Sequence, residues 1–398
     1  MNSSYPTYEE YVEIFKGLPR PFAFIDLDRL NYNAQQVLDY SGTARVRLGS
    51  KSIRATYILR HLLQQNERFK GLLCFTAPEA GWLAQQGFED LLVAYPTWEP
   101  LHVNQVLDQL RESATITLMV DSLEQIHHLG HLAQQHGTIL PLCLDLDMAT
   151  IHYGLHFGSW RSTIREAEPL VALAQAIEKA PNLVLDGVMG YEGQIAGVND
   201  SAPGDRLAFI KRHLKKRSMQ EVRQRRADLV GALTNAGHKL RFVNAGGSGS
   251  LTSSSQEAVV DEVTAGSAFY CPTLFSHYAD YDYIPAAGFS IEVVRQAAPN
   301  IYTCLGGGYV ASGAVGKDRL PEPFLPDGAA LVDLEGAGEV QTPIKYSGHQ
   351  PLSMGSSIFM RHAKAGELCE RFNELHIVAN GEIIDTVPTY RGEMQCFL

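Results

Sequence analysis

Residues 44–54 read ARVRLGSKSIR, an apolar strand-like run that ends in small residues and leads directly into a lysine. Seven further apolar runs follow it along the chain, at 71–76, 90–96, 116–121, 139–147, 183–191, 241–247 and 261–266. Most are apolar on successive residues, as in parallel strands that are covered on both faces. Most spacers between the runs are long enough for a crossover helix. The pattern therefore predicts an α/β fold, a (β/α)8 barrel of the TIM type, with a small or absent helix in the short polar spacer 248–260.

The two ends of the chain fall outside this repeat. An extra strand is predicted at 21–28 (PFAFIDLD), ahead of the eight. After about residue 285 glycines, prolines and short alternating runs dominate, and LHIVANGEIIDTV (375–387) has the pattern of a hairpin that turns at Asn380-Gly381. We expect an N-terminal barrel with its lead-in segment over 1–285 and a mostly β domain over 286–398.

Composition limits the possible partners and the compartment. The net charge of −11 argues against a general nucleic-acid or anionic-membrane binder, and the basic segment 205–238 is interpreted as a solvated helix face. No run of 18 apolar residues exists, and the N-terminus lacks the pattern of a secretory signal. Six scattered cysteines without a CxxC pair fit free thiols in a reducing cytoplasm.

Three chain segments are predicted to meet at one end of the barrel. Barrel enzymes carry their chemistry at the C-terminal ends of the strands, and Lys51 directly follows the first strand. A lysine amine can form a Schiff base with an aldehyde. The small-residue segments 244–249 (NAGGSG) and 265–267 (AGS) follow the seventh and eighth strands, where barrels commonly bind phosphate. A lysine together with a phosphate cradle suits a cofactor that is both an aldehyde and a phosphate.

With these elements in place, nearly the whole chain resembles the fold-type III pyridoxal-phosphate enzymes, a group that includes alanine racemase, D-threonine aldolase and D-serine dehydratase. The GYEG and NAGGSGS segments resemble most closely the aldolase and dehydratase branch. The ordered set of motifs that carries the resemblance is PFAFIDLDRLNYN (21–33), the Lys51 segment, 71–96, LCLDLDMATIHYGLHFG (142–158), GVMGYEGQIAG (187–197), VNAGGSGS (243–250) and EVTAGSAF (262–269).

The resemblance implies pyridoxal 5'-phosphate as cofactor, an amino acid as substrate and a homodimer whose β domain helps to close the partner's active site. Lys51 would hold the cofactor aldehyde, and Tyr191 would lie beside its ring. Many relatives place an arginine near the phenolic oxygen, where this chain has His152. The implied cofactor-binding set is Lys51, His152, Tyr191, Gly247, Ser248, Gly249, Gly266 and Ser267.

The chain departs from the resemblance at the residues that would hold a divalent metal. The aldolase and dehydratase branch carries a histidine followed two residues later by cysteine or aspartate. Counting back from LHIV (375–378) without gaps puts Lys364 and Gly366 at these positions, and neither can ligate a metal. Lys364 is a hypothetical substitute for the metal's charge. Under a shifted alignment the alternative ligands are His362, Glu367 and Cys369.

The function predicted from the sequence is that of an aldolase or deaminase acting on a D-configured hydroxy-amino acid. Lys51 is the candidate base on one face of the substrate, and candidates for a second are His152, Tyr191, Lys364 and tyrosines of the β domain. Three alternatives stay open: an amino acid racemase, a non-catalytic pyridoxal-phosphate binding protein, and a metal-dependent barrel hydrolase.

Overall fold

The computed structural model describes residues 6–202, 204–314 and 316–398 of the chain. Residues 1–5, on which part of the interpretation of the N-terminus depends, lie outside the described residues. The strands are β1 Phe22–Asp26, β2 Arg45–Gly49, β3 Phe69–Cys74, β4 Leu91–Val93, β5 Ile116–Val120, β6 Leu140–Asp145, β7 Thr150–His152, β8 Leu155–Phe157, β9 Leu183–Gly190, β10 Phe242–Ala245, β11 Glu262–Ala265, β12 Ala287–Ala298, β13 Ile301–Leu305, β14 Glu322–Leu325, β15 Ala329–Leu331, β16 Gln341–Tyr346, β17 Ser357–Arg361, β18 Glu374–Ala379 and β19 Glu382–Pro388. The helices are α1 Tyr8–Ile14, α2 Leu27–Tyr40, α3 Thr56–Gln65, α4 Ala77–Gln85, α5 Pro100–Arg111, α6 Leu123–His136, α7 Ala167–Lys179, α8 Gly193–Ala196, α9 Ala208–Asn235, α10 Leu251–Ser255 and α11 Ser267–Tyr270.

Eight parallel strands close into a barrel in the order β2-β3-β4-β5-β6-β9-β10-β11, and β11 pairs with β2 to complete the ring. Seven of the eight predicted runs contain one of these strands and the run 71–76 overlaps β3, which begins two residues earlier, so the predicted barrel is confirmed. The spacer after β10 holds only the five-residue helix α10, as its length predicted. Leu48 of β2 lies opposite Ala265 of β11, so the segments after these two strands begin side by side.

A nine-stranded sheet forms the second unit, with β12, β1 and β18 at its centre. The predicted strand at 21–28 is confirmed as β1, but it pairs with β12 and β18 and not with the barrel. This sheet therefore takes strands from both sides of the predicted boundary at 285/286. The hairpin β18–β19 is confirmed, and its turn needs Asn380 and Gly381 at φ values of 51° and 78°.

Helix α9 corrects the interpretation of the basic segment 205–238 as only a solvated face. Arg226 is fully buried, and Lys215 is buried against Asp200 at 2.9 Å. Only part of the basic charge on this helix is therefore available to solvent. None of the helices in the described ranges combines the length and apolar character that a bilayer crossing requires.

A buried ion pair lies inside the barrel, where β2 meets β11. The guanidinium of Arg47 donates to both carboxylate oxygens of Glu262, at 2.7 and 3.0 Å. It also donates to the backbone carbonyl of Asp90 at 2.6 Å, and its side chain has no solvent exposure. The planar fork of arginine suits such two-point contact with a carboxylate. This pair joins the first and last strands of the barrel.

Replacing Arg47 with methionine should destabilise the fold strongly, because Glu262 would then be buried without its cation. We expect the free energy of unfolding to fall by about 3–5 kcal/mol, as for other buried pairs that lose one partner. Urea titration of the cofactor-free chain measures the change. The control is Lys317→Met, which removes an exposed pair with Asp333 and should change the free energy by less than about 1 kcal/mol. Similar losses in both variants would contradict the large contribution of the Arg47 pair to the free energy of unfolding.

Candidate active site

A cavity of about 280 Å³ opens at the C-terminal end of the barrel. It lies where the segments after β2, β10 and β11 meet, which is the end at which barrel enzymes carry their active sites. Six residues of the predicted cofactor-binding set line it: Lys51, Tyr191, Gly247, Ser248, Gly266 and Ser267. Segments separated by about two hundred residues of sequence therefore share one cavity wall.

Lys51 lies in a short 3₁₀ turn, Ser50–Ser52, directly after β2. Its ammonium Nζ donates to the hydroxyl of Tyr95 at 3.0 Å, and Tyr95 follows the third barrel strand, β4. Burial raises the pKa of Tyr95, but Lys51 and Arg161 outweigh this effect, so the pKa lies below its ordinary value. The lysine and the phenol are thus a hydrogen-bonded pair that can share a proton.

Arg161 supplies a second cation on the cavity wall. Its guanidinium lies 4.9 Å from the ring centre of Tyr95 and 5.7 Å from that of Tyr191. It donates to Asp145 at 3.2 Å and to the carbonyl of Ala94 at 2.7 Å, which fix its direction. Burial raises the pKa of Asp145 to about 6, although Arg161 lowers it. Burial also raises the pKa of Tyr191, to about 12.

The small-residue segments form a cradle in the same cavity. The hydroxyl of Ser248 accepts a hydrogen bond from the backbone N–H of Ala268 at 2.9 Å, which ties the two segments together. The hydroxyls of Ser52 and Ser267 lie 3.4 Å apart. The backbone N–H groups of Ser248 and Ser267 have no acceptor in the described part of the chain. These donors are available to an anion.

The cradle is supported from below by the buried carboxylate of Glu192. It accepts hydrogen bonds from the hydroxyls of Ser250 and Ser254, at 2.6 and 2.5 Å. Arg226 of α9 donates to the other carboxylate oxygen at 2.8 Å. Tyr283 donates to the carbonyl of Ser248 at 3.0 Å. The cradle is therefore held by a connected polar network, which fixes its shape.

Two members of the predicted set are not on the cavity wall. His152 is buried, and its Nε2 lies 3.0 Å from the hydroxyl of Thr150 and 2.9 Å from that of Ser218 on α9. It therefore belongs to the packing of hairpin β7–β8 against α9. Gly249 does not line the cavity: its backbone N–H donates to the carbonyl of Ala196 at 3.1 Å, and a Cβ there would lie 2.5 Å from the ring of Tyr278. Its N–H is therefore not among the free donors of the cradle.

The segment after β17 does not assemble the alternative metal ligands. His362 is buried, and burial lowers its pKa to about 3. Glu367 accepts from the backbone N–H of Ser312, and the thiol of Cys369 donates to the carbonyl of Ile53 at 3.3 Å. In the described ranges no group of three or more histidine, cysteine, aspartate or glutamate side chains is arranged to hold a metal ion.

Lys364 and Gly366, in contrast, both line the cavity. The ammonium of Lys364 donates to the hydroxyl of Ser312 at 2.7 Å. Burial lowers the pKa of Lys364; Glu367 opposes this shift and Lys51 adds to it. The two lysines therefore share the electrostatic environment of one cavity.

Tyr95, Arg161 and Ser52 line the cavity but were absent from the predicted set. Tyr95 could have been predicted from the sequence, because it follows the third strand of the barrel as Lys51 follows the first. Ser52 lies next to Lys51 in sequence and in the same turn. Arg161 could not have been predicted in this way, since it lies in the irregular segment after hairpin β7–β8 and not at the end of a barrel strand.

Behind Lys51 lies a buried carboxyl group, that of Glu79 on α4. It accepts hydrogen bonds from the backbone N–H of Phe75 at 2.7 Å and from the hydroxyl of Tyr390 at 3.1 Å. Tyr390 in turn donates its backbone N–H to the carbonyl of Arg54 at 2.9 Å. Burial raises the pKa of Glu79 to about 7. This contact joins the C-terminal segment to the barrel near Lys51.

A (β/α)8 barrel that carries a lysine and an anion cradle in one cavity, next to a second mostly β unit, defines a class of cofactor-binding barrel enzymes. The family described as "Alanine racemase, N-terminal domain" matches residues 25–273. The chain belongs to this family, whose members are fold-type III pyridoxal-phosphate proteins.

Among curated proteins, the chain is similar to the 3-hydroxy-D-aspartate aldolase of Paracoccus denitrificans (strain Pd 1222), with 27% identity over 248 residues. The match covers 62% of this chain and 59% of that protein, so the chain spans under two thirds of the relative's length.

Solved structures share the fold over most of the chain. The D-threonine aldolase of Filomicrobium marinum matches with a TM-score of 0.80 and 18% identity, over 94% of this chain and 95% of that one. The D-threo-3-hydroxyaspartate dehydratase of Delftia sp. HT23 matches with a TM-score of 0.75 and 19% identity, over 94% and 98%. A cysteine-to-alanine variant of a D-threo-3-hydroxyaspartate dehydratase is described as metal-free, with a TM-score of 0.73, 19% identity and coverage of 94% and 98%.

The buried carboxyl of Glu79 should make stability depend on pH. Its pKa in the folded chain, about 7, is above the ordinary value of 4.5. The folded chain therefore holds a proton that the unfolded chain loses, and stability falls as the pH rises from about 4.5 to about 7. Glu79→Gln should flatten this fall, measured as urea midpoints across the range. Exposed Glu89→Gln is the control, and an unchanged slope in Glu79→Gln would be incompatible with this assignment.

Proposed function

We propose that the chain is a pyridoxal-phosphate-dependent lyase that acts on a D-configured 3-hydroxy amino acid, as an aldolase or a deaminase. One observation carries the proposal: the amine of Lys51 and the anion cradle of Ser248 and Ser267 line the same cavity. The named activities of the relatives support the substrate class, since all three act on D-configured 3-hydroxy amino acids.

The cradle has two features that fit a phosphate: closely packed glycines and free backbone N–H groups. A Cβ at Gly266 would lie 2.9 Å from the side chain of Ser52, and one at Gly247 would lie 2.8 Å from that of Ala196. Only glycine lets the backbone at these positions pack this closely. The free N–H groups of Ser248 and Ser267 then supply donors to the phosphate oxygens.

The remaining walls fit the rest of the cofactor. Lys51 would hold its aldehyde, Tyr191 would lie beside its ring, and Arg161 is the cation available to its phenolic oxygen in place of the predicted His152. When bound, pyridoxal phosphate withdraws electrons from the bonds at the substrate's α-carbon.

Proton handling on this wall is assigned to Lys51 and Tyr95. Their hydrogen bond of 3.0 Å lets the phenol exchange a proton with the amine. The lowered pKa of Tyr95 favours this exchange.

Racemisation is the second candidate, because the matched family is named for alanine racemase. An assay with matched D- and L-amino acids separates the two activities. A lyase releases an aldehyde or ammonia, whereas a racemase releases only the other enantiomer.

We also propose a homodimer. Exposed apolar side chains in and beside the hairpin β7–β8, close in sequence to the cavity residue Arg161, support it: Ile151, Tyr153, Leu155 and Trp160. Light scattering coupled to size-exclusion chromatography measures the mass. A monomer at all concentrations would contradict this assembly.

We propose a cytoplasmic location because the cysteines form no disulfide bonds. All six cysteines are free, and five of them are buried. Free thiols persist in a reducing compartment.

Lys51→Ala should abolish the yellow colour of the chain reconstituted with pyridoxal phosphate, because Lys51 is the amine beside the cradle, whereas Lys364, the other lysine that lines the described part of the cavity, is held by Ser312. Absorption spectra measure the colour, and circular dichroism checks the fold. Lys317→Ala is the matched control, since that lysine is exposed and pairs only with Asp333. A Lys51→Ala protein that keeps the wild-type spectrum would contradict the proposal that Lys51 holds the cofactor aldehyde.

Ser248→Ala and Ser267→Ala should weaken cofactor retention more than they weaken the fold. Each variant removes a hydroxyl from the cradle, and a hydrogen bond to a charged group is worth about 1.5–3 kcal/mol, or about tenfold or more in affinity. Dialysis followed by spectral titration measures the dissociation constant. Ser353→Ala, at an exposed turn outside the cavity, should change nothing. Unchanged affinity in both cradle variants would refute the phosphate assignment.

A further inference from the structure

The segment after β17 brings a further cation, Lys364, to the cavity. A recess of about 480 Å³ adjoins the cavity on this side. The residues that line both spaces are Arg54, Ser312, Lys364, Glu367 and Leu398. Lys364 thus lies on the boundary between the cavity and the recess.

Position 366 cannot hold a metal-ligating side chain in this backbone. A Cβ on Gly366 would lie 1.8 Å from the carbonyl oxygen of Lys51 and 2.7 Å from Nε of Arg54. Any residue other than glycine would therefore push the Lys51 turn out of place. The sequence resemblance assigns this position to a cysteine or aspartate ligand, so the fold here is incompatible with that metal pair.

Position 364 carries a fixed ammonium group where the resemblance assigns the histidine ligand. Its Nζ donates to Ser312 Oγ at 2.7 Å and lies 3.9 Å from a carboxylate oxygen of Glu367. The backbone N–H of Ser312 donates to both oxygens of that carboxylate, at 3.2 and 3.0 Å. Ser312 and Glu367 therefore hold each other and position the ammonium.

The ammonium keeps donors for a ligand. It has three N–H groups, of which Ser312 takes one, and Glu367 is beyond hydrogen-bond distance. The side chain of Lys364 is 40% exposed, so a ligand in the cavity can reach it. An ammonium cannot ligate a metal, but it can place a positive charge beside an oxygen.

We propose that the Lys364 ammonium, positioned by Ser312 and Glu367, binds the oxygen on the third carbon of the substrate, so that this chain acts without a divalent metal. A cation at this place stabilises negative charge on that oxygen, either on the alkoxide that forms when the hydroxyl loses its proton before the carbon–carbon bond breaks, or on the hydroxide that leaves when the carbon–oxygen bond breaks. The inference rests on the proposed function. It adds a residue that contacts the substrate, and it states that the reaction does not need a divalent metal. It assigns a binding role to Lys364 and no proton transfer.

Metal dependence is tested on the holoenzyme. The chain loaded with pyridoxal phosphate is treated with a chelator and dialysed, and its metal content is measured by mass spectrometry. Cleavage of D-3-hydroxyaspartate and D-threonine is then followed with and without magnesium, manganese, zinc and cobalt ions. We expect rates that agree within about twofold, well below the effect of one lost charged contact. Activation by about tenfold or more with any of these ions would overturn the proposal.

Substrate contact is tested by binding and not by rate. Spectral titration of Lys364→Met should show a dissociation constant for D-serine weakened by about tenfold. The constant for D-alanine, which has no oxygen on its third carbon, should stay within about twofold, since it lacks the contact. Lys364→Arg keeps the charge and should lose less for D-serine than Lys364→Met. Lys317→Met is the control for loss of an exposed lysine.

The outcomes separate this inference from the proposed function. A wild-type chain that stays colourless with pyridoxal phosphate, or whose spectrum ignores every D-amino acid, removes the proposed function and the inference with it. A responsive wild type with an unaltered Lys364→Met titration removes only the inference. An equal loss for D-serine and D-alanine also overturns it, because the lysine would then act on the site as a whole.

Discussion

The contact between the first and last barrel strands is the constraint on which the rest of the structure depends. Arg47 of β2 and Glu262 of β11 form a two-point ion pair inside the barrel, without solvent exposure. Their strands also pair in register, so Leu48 lies opposite Ala265. Because the barrel closes here, the lysine after β2 lies next to the small residues after β11. An open sheet with the same strands would leave them at opposite edges.

A second constraint acts on the same lysine from the other unit of the fold. Gly366 packs so closely on the carbonyl of Lys51 that a Cβ would lie 1.8 Å away. Glu79 and Tyr390 fix the C-terminal segment behind this turn. The turn that carries Lys51 is therefore held between the barrel and the second unit. This arrangement places Lys364 on the wall of the same cavity as Lys51.

The proposed chemistry divides among groups that differ in how firmly they are held. The cradle is fixed by Glu192, Arg226 and Tyr283, so its shape is set before any ligand arrives. Lys51 and Tyr95 have fewer contacts: Lys51 donates to the hydroxyl of Tyr95, and Arg161 lies over the Tyr95 ring. A firmly held anion site and an amine with few contacts suit an enzyme that keeps its cofactor while its substrates exchange.

The sequence by itself determined the barrel, because buried parallel strands need successive apolar residues and leave a pattern of period and spacing. It also pointed to Lys51, Ser248 and Ser267, since strand ends are where a barrel exposes its functional residues. Only the tertiary structure decided that Arg161 and not His152 lies on the cavity wall, and that β1 joins the second sheet. These outcomes depend on the paths of irregular segments and on strand pairing between distant parts of the chain, and neither leaves a local periodic signal.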